Sequence, residues 1–494
     1  MMNRQVSRLA LAALLLMIAL IVATTYWQTW AQAGLADRQD NEIQRVAKFT
    51  IKRGLIYAGD GKTVLAANRA KRVGNQTLYF RRYPQGKLAP HVVGYSTQSR
   101  SQAGIERSLD DYLTGSNANL NTVLTTTLDR LKGATVKGNN VYLTIDPQAQ
   151  RLANEALAGK CGAAVALDTS TGKVLVLASS PTYNENLVER SFRLIRRITA
   201  PCKPPAPLLD RATQGLYQPG STFKVVTASA ALDTGRYKPD STFFDPGYCT
   251  EYGRKISNAG NPETGPEVFG HVNFTTALEH SINAVFCNIG KAIGAGTILD
   301  YAKRFGFYSR PPLETPLNER AASGLYRRGK LFDPSNPATQ VDPGRLAFGQ
   351  ERLLVTPLQM AMVAASVANG GVVMRPYVVE KIVSHGGTTV QRTHPDRLGR
   401  AIKPQTAREL TTMMEAVVTG GTGTAAQIPG VKVAGKTGTA ETGVANVYTA
   451  WFISFAPADH PKVAVAVVVE NGGFGGKSAA PIAKTLMQAI LHRS

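Results

Sequence analysis

Two serines in this 494-residue chain stand three residues ahead of a lysine: Ser170 before Lys173 and Ser221 before Lys224. A serine hydroxyl is a weak nucleophile until a base lies within hydrogen-bond reach, and one helical turn supplies that base cheaply. Gln218-Pro219-Gly220 stops the preceding chain, so the pattern predicts a helix from Ser221 to Leu232, with Lys224 on the face of Ser221. The helix N-terminus would also turn N–H groups toward developing negative charge. The copy at Ser170 occupies the Asp168-Thr169-Ser170-Thr171-Gly172 turn between two apolar runs, where nothing holds Lys173 against the hydroxyl.

Ser281-Ile282-Asn283, within a segment predicted helical from Thr275 to Gly290, is the only Ser-x-Asn in the chain. It offers a hydroxyl to relay a proton and an amide to hold a peptide group. Lys436-Thr437-Gly438-Thr439 follows a run read as a strand from Val431 to Ala434. Its cation and hydroxyls suit a carboxylate, and Gly438 permits another chain to approach the backbone. Taken singly, each pattern is as well explained by a capped helix or a charged turn. Ser-x-x-Lys, Ser-x-Asn and Lys-Thr-Gly in this order form the signature of serine acyl-transfer enzymes that react with penicillin.

The elements that must position these residues are of mixed type. Ala163–Leu167 and Val174–Ser179 read as a hairpin, Ala450–Phe455 and Val463–Val469 as further strands, and Thr356–Asn369 as a helix closed by Gly370-Gly371. Strands at the two ends and helices between predict one sheet with helices on its faces, an α/β (α+β) fold. Before residue 140 the chain is polar and basic. Short β-rich runs at Phe49–Ile56 and Lys62–Ala66 precede a Gly/Asn/Thr-rich stretch, Thr114–Asn140, that reads as loop or linker.

Leu9 to Trp27 is an uncharged run of 19 residues, long enough to cross a bilayer. Arg4 and Arg8 before it, with Asp37, Asp40 and Glu42 after it, place the N-terminus in the cytoplasm. Ala31-Gln32-Ala33 has the form of a signal-cleavage site, but the apolar run exceeds a signal's, and Tyr26, Trp27 and Trp30 suit an interfacial anchor. The net charge of +22 comes without zinc spacings or an RNA-recognition signature, and fits an anionic envelope better than nucleic acid. Four cysteines, Cys161, Cys202, Cys249 and Cys287, fit no metal motif. A Cys249–Cys287 bridge and buried free thiols are both open readings.

On these motifs the chain resembles a class B penicillin-binding protein, most closely the penicillin-binding protein A type. Ile282 stands where the motif often has Asp. Arg53-Gly54-Leu55-Ile56, Gly104-Ile105-Glu106, Leu143-Thr144-Ile145-Asp146, Gly349-Gln350 and Thr356-Pro357-Leu358-Gln359 are similar to family landmarks elsewhere in the chain. The resemblance implies a cytoplasmic tail (1–8), an anchor (9–27), a β-rich pedestal or dimerisation module (28–140) and a transpeptidase domain (141–494) with a central antiparallel sheet. It further implies Ser221 as nucleophile, Lys224 as base, Ser281 as proton relay, Asn283 as peptide holder, Lys436 as a further catalytic residue and Thr437, Gly438 and Thr439 as substrate-binding. Backbone N–H groups of Ser221 and Thr439 would form the oxyanion hole, with no metal or cofactor. Expected partners are peptidoglycan stem peptides, β-lactams and a SEDS-family glycan polymerase.

Several alternatives compete on paper. Gly430–Thr437 matches a P-loop, but its Val431-Lys432-Val433-Ala434 interior reads as strand and Gly438 and Gly443 disfavour a following helix. A histidine-based serine hydrolase lacks a Gly-x-Ser-x-Gly elbow, and His280 would face away from Ser281. A class A β-lactamase would use Glu314, in Glu314-Thr315-Pro316-Leu317-Asn318, to deacylate the serine. A D,D-carboxypeptidase and a non-catalytic β-lactam sensor use the same motifs.

Overall fold

The computed structural model describes residues 2–26, 49–98, 102–261, 265–444 and 447–492. Trp27, Trp30, the Ala31-Gln32-Ala33 tripeptide and the acidic residues Asp37, Asp40 and Glu42 lie outside the described residues. The N-terminal helix spans Met2–Thr25, and its segment Arg8–Thr25 is long and apolar enough to cross a membrane.

Five antiparallel strands form the central sheet in the order Ala434–Glu441, Tyr448–Ala456, Val463–Glu470, Cys161–Asp168, Val174–Ser180. Its interior strands are nearly continuous runs of buried apolar residues because both faces are covered. The period of two divides them. Val165, Ile453, Phe455 and Val468 join the core that includes helix Pro357–Ala368, while Ala166, Phe452, Val465 and Val467 pack with Leu486 and Met487 of helix Ala480–Leu491. Ala434–Glu441 is an edge strand, so one side of its backbone is left for another chain.

Several expected elements differ. The strand read at Val431–Ala434 starts at Ala434 and carries Lys436-Thr437-Gly438-Thr439 within it. The chain is still turning at Val431, whose N–H bonds Ile428 O around Pro429 and Gly430. The helix read from Thr275 to Gly290 is two helices, Phe274–Glu279 and Asn283–Ile293, broken at Ser281 with φ +61°. The stretch read as linker contains a helix, Leu120–Leu131, capped by the Asn119 side chain.

A six-stranded sheet joins both halves of the sequence. Ile56–Tyr57 pairs antiparallel with Val64–Val73 and parallel with Asn140–Leu143, which pairs in turn with Val379–Val383. Of the β-rich runs expected at Phe49–Ile56 and Lys62–Ala66, the second appears at the start of strand Val64–Val73, whereas the first is strand only from Ile56, with Phe49 and Thr50 helical. Beside this sheet the buried Glu106 accepts from Arg53 Nη2 at 2.8 Å and Arg81 Nε at 2.6 Å, while Arg53 also meets Asp110. Removing the shared carboxylate leaves the buried Arg81 without its ion partner and Arg53 with Asp110 alone. Glu106→Ala is therefore expected to cost about 3–5 kcal/mol in urea denaturation.

All four cysteines are paired, Cys161 with Cys202 and Cys249 with Cys287, which resolves the open choice between thiols and bridges. The second bridge ties strand Tyr248–Glu251 to helix Asn283–Ile293, and the hairpin partner of that strand, Arg254–Ser257, borders the cleft described next.

Candidate active site

Ser221 does not open an α-helix. It lies in a 3-10 turn, Gly220–Phe223, and the α-helix begins at Lys224 and runs to Asp233. Gly220 takes φ +51°, and a Cβ there would meet Thr439 O at 2.9 Å; Gly349 packs so closely that its own Cβ would reach Gly220 O at 2.1 Å. Trp451 Nε1 donates to Gln218 O at 2.9 Å. The nucleophile turn is thus clamped between the edge strand and the Gly349 loop by backbone contacts that admit no side chain.

The Lys224 side chain is fully buried. Its Nζ donates to Ser281 O at 2.6 Å, to Asn283 Oδ1 at 2.8 Å and to Ser281 Oγ at 3.2 Å. The left-handed backbone at Ser281 turns both its carbonyl and its hydroxyl to this amine, a strained conformation of the kind found at functional sites. Phe286 places its ring 5.2 Å from Nζ. Among the described residues, no carboxylate partners this lysine. Burial therefore pushes the ammonium well below its ordinary range, and nearby Lys436 adds repulsion in the same direction.

Lys436 is equally buried, with Nζ donating to Thr437 O at 3.1 Å, and burial takes it down to about 7. An unfolded lysine titrates near ~10.4, so between these values the unfolded chain holds a proton that the folded chain lacks. Stability should accordingly rise with pH across that window, by up to about 1.4 kcal/mol per pH unit, and level off below about 7. Urea midpoints measured for the protein and for Lys436→Met should show the slope reduced in the variant.

Thr437 Oγ1 shares a 2.6 Å hydrogen bond with Thr422 Oγ1. Thr439 O faces the nucleophile turn, and because a strand residue's N–H and C=O leave by the same edge, its N–H points to that side too. Thr437, Thr439 and Glu441 share one face and line a cleft of about 1300 Å³ with Ser221, Ser281 and Asn283. Gly438 is held between Pro219 O and the Trp451 side chain, where a Cβ would come within 2.9 and 3.0 Å. Gly438→Val should push the strand off the nucleophile turn and slow penicillin acylation roughly 100-fold in a stopped-flow assay, the cost of about 1 Å of misplacement.

Ser221, Ser281, Asn283, Thr437 and Thr439 therefore line this cleft, with the two lysines buried beneath it and Gly438 packed against the nucleophile turn. The Ser170–Lys173 copy does not take part: Ser170 bonds Asp168, and Lys173 pairs with Glu380 at 2.9 Å. Glu314 is absent from the cleft lining. Its carboxylate accepts from Val378 N–H at 2.8 Å and meets Arg375 at 3.3 Å, so the proposed deacylating base is committed to the six-stranded-sheet side. The P-loop match fails because Gly435, Lys436 and Thr437 lie in a strand followed by another strand. His280 caps the first of the two helices and reaches the cleft edge, without bonding Ser281.

Thr422, Phe348, Gly475 and Gly476 also shape the cleft and went unread in the sequence. Gly475 lies so near the edge strand that a Cβ would meet Gly438 O at 2.4 Å. The Gly475-Gly476 pair beyond the last strand was the one available signal.

The comparisons agree with this geometry. Residues 162–488 match the penicillin binding protein transpeptidase domain, and residues 53–141 match the penicillin binding protein A dimerisation domain. The chain is 36% identical to the peptidoglycan D,D-transpeptidase PbpA of Mycolicibacterium smegmatis, covering 99% of each, and 35% identical to PbpA of Mycobacterium tuberculosis over the same share. The ceftriaxone acyl-enzyme complex of M. tuberculosis penicillin-binding protein A superposes with TM-score 0.79 at 33% identity, covering 90% of this chain and 100% of that one. The D,D-transpeptidase domain of an Eggerthella lenta peptidoglycan glycosyltransferase gives 0.76 at 33% identity, over 90% of this chain and 99% of that domain. With a transpeptidase domain over most of its length and a penicillin-binding protein A dimerisation domain before it, the chain belongs to the penicillin-binding protein family.

Proposed function

We propose that the chain is a peptidoglycan D,D-transpeptidase that crosslinks stem peptides through an acyl-enzyme on Ser221. The observation that carries this reading is Lys224: a buried amine with no carboxylate partner, held by Ser281 and Asn283 one turn from the nucleophile. A neutral amine has two N–H groups and one lone pair. The two shorter contacts, to Ser281 O and Asn283 Oδ1, occupy the N–H groups and leave the lone pair for a hydroxyl proton.

Ser221 Oγ attacks the penultimate D-Ala carbonyl and Lys224 takes its proton. The N–H groups of Ser221 and Thr439 stabilise the oxyanion, Ser281 passes the proton to the departing D-Ala amine, and an ester remains on Ser221. Asn283 and the edge strand hold the donor peptide, and Lys436, Thr437 and Thr439 favour its carboxylate. An acceptor amine then attacks the ester, forms the crosslink and returns the proton to Ser221. β-Lactams take the donor's place. The division into tail (1–8), anchor (9–27), pedestal (28–140) and transpeptidase domain (141–494), an extracytoplasmic cleft, and a SEDS-family glycan polymerase beside the anchor complete the reading.

Mass spectrometry after penicillin treatment tests it. A penicilloyl mass on the peptide containing Ser221, persisting well after free drug is removed, is expected. Turnover of the drug with no accumulated adduct would instead favour a hydrolase.

A further inference from the structure

Helix Leu120–Leu131 is turned inside out. Leu120, Val123, Leu124, Leu128 and Leu131 recur at helical spacing on one face and are 43% to 79% exposed, while Thr122 and Thr126 face inward. This orientation is fixed by polar contacts: Asn139 Nδ2 donates to Thr122 Oγ1 at 2.8 Å, and the Asn119 side chain reaches Val390 O. The helix's single acid, Asp129, turns to His385 at 3.4 Å, leaving Arg130 and the following Lys132 exposed beside the stripe. A continuous aliphatic face of this kind marks a binding surface.

The topology says what lies opposite. Strands Ile56–Tyr57 and Asn140–Leu143 run parallel, so both begin at the same end of the six-stranded sheet. The chain enters the first from Phe49, downstream of the apolar N-terminal helix, and the second from helix Leu120–Leu131. Lys52 pairs with Lys137 across these two entries. The ribbon Val64–Val73/Gln76–Arg82 runs the opposite way and projects its tip, with exposed Arg69, Lys71 and Arg72, toward the same end. Aliphatic stripe and cations thus gather where the chain arrives from its anchor, the combination that seats an amphipathic helix at an anionic lipid interface.

We infer that helix Leu120–Leu131 is a second membrane contact, lying in the interface of the bilayer with its leucines among the acyl chains and the surrounding cations on lipid phosphates. It would fix the pedestal against the membrane and so set the height and tilt of the catalytic cleft. The inference rests on the reading of the N-terminal helix as an anchor.

Because the four native cysteines are all in bridges, one introduced cysteine can be labelled alone. Full-length Leu124→Cys, Leu128→Cys and a control, Asp459→Cys, each carrying a nitrobenzoxadiazole dye, are placed in nanodiscs of phosphatidylcholine and phosphatidylglycerol, with penicillin acylation confirming the fold. Quenching by doxyl-labelled lipid should be at least about threefold stronger at positions 124 and 128 than at 459, with iodide quenching reversed in order. Iodide access at 124 and 128 equal to that at 459 would overturn the inference while leaving the anchor intact. Protection from both quenchers would overturn it in favour of a protein partner or second copy. Failure of the full chain to co-elute with the discs would overturn the anchor reading along with it.

Discussion

Ser221→Ala is expected to abolish acylation: no penicilloyl adduct anywhere on the chain, and a second-order acylation rate at least about 10⁴-fold below that of the parent protein. The loss is chemical. Ser221 is only partly buried and stands in a turn held by its neighbours, by Gly220 against Thr439, Gly349 against Gly220 and Trp451 on Gln218 O. Removing one hydroxyl leaves that clamp intact, so the urea midpoint should move little. Noncovalent binding of penicillin, followed by displacement of a fluorescent β-lactam, should survive at reduced affinity through the edge strand.

Lys224→Met should also damage acylation severely, by about 10²- to 10⁴-fold, the range for losing a positioned general base. Its effect on stability separates a catalytic lysine from a structural one. Methionine keeps the buried aliphatic stem and removes a desolvated amine, but leaves Ser281 O and Asn283 Oδ1 without their donor. These terms oppose each other, each about 1–3 kcal/mol, so the net change should stay within about 2 kcal/mol. The parent's acylation rate should rise with pH as Lys224 loses its proton, on a limb displaced well below that of an ordinary lysine. That limb should vanish in the variant.

The site was legible where its chemistry depends on short spacings. Ser221 and Lys224 sit one turn apart whether that turn is 3-10 or α, so reading an α-helix from Ser221 cost nothing. Ser281 and Asn283 were found by type, but not the left-handed kink between two helices that aims both at Lys224, because no glycine marks the break. Thr422 and Gly475 reach the cleft from segments that only tertiary packing brings to the edge strand. Glu314 shows the converse: a motif at the expected place in the sequence whose side chain is spent on Val378, Val379 and Arg375.

The fold was read best where burial is two-sided, as in the central strands, whose apolar runs leave little choice. It was read worst in Leu120–Leu131. There, four threonines among the twelve residues lowered helix propensity, and flanking Gly and Asn suggested loop. The leucine spacing was present all along, but facing outward.

What releases the Ser221 ester decides between a transpeptidase and a carboxypeptidase, and one partition experiment measures it. The full-length protein is given a donor peptide ending in D-Ala-D-Ala and increasing amounts of an acceptor peptide bearing a free side-chain amine, and products are resolved by mass. The expected result is a mass on Ser221 equal to the donor less one D-Ala, with crosslinked dimer displacing hydrolysed donor as the amine rises. Hydrolysed donor alone at saturating amine would contradict acyl transfer to an amine, and a donor adduct on any residue but Ser221 would contradict the site itself.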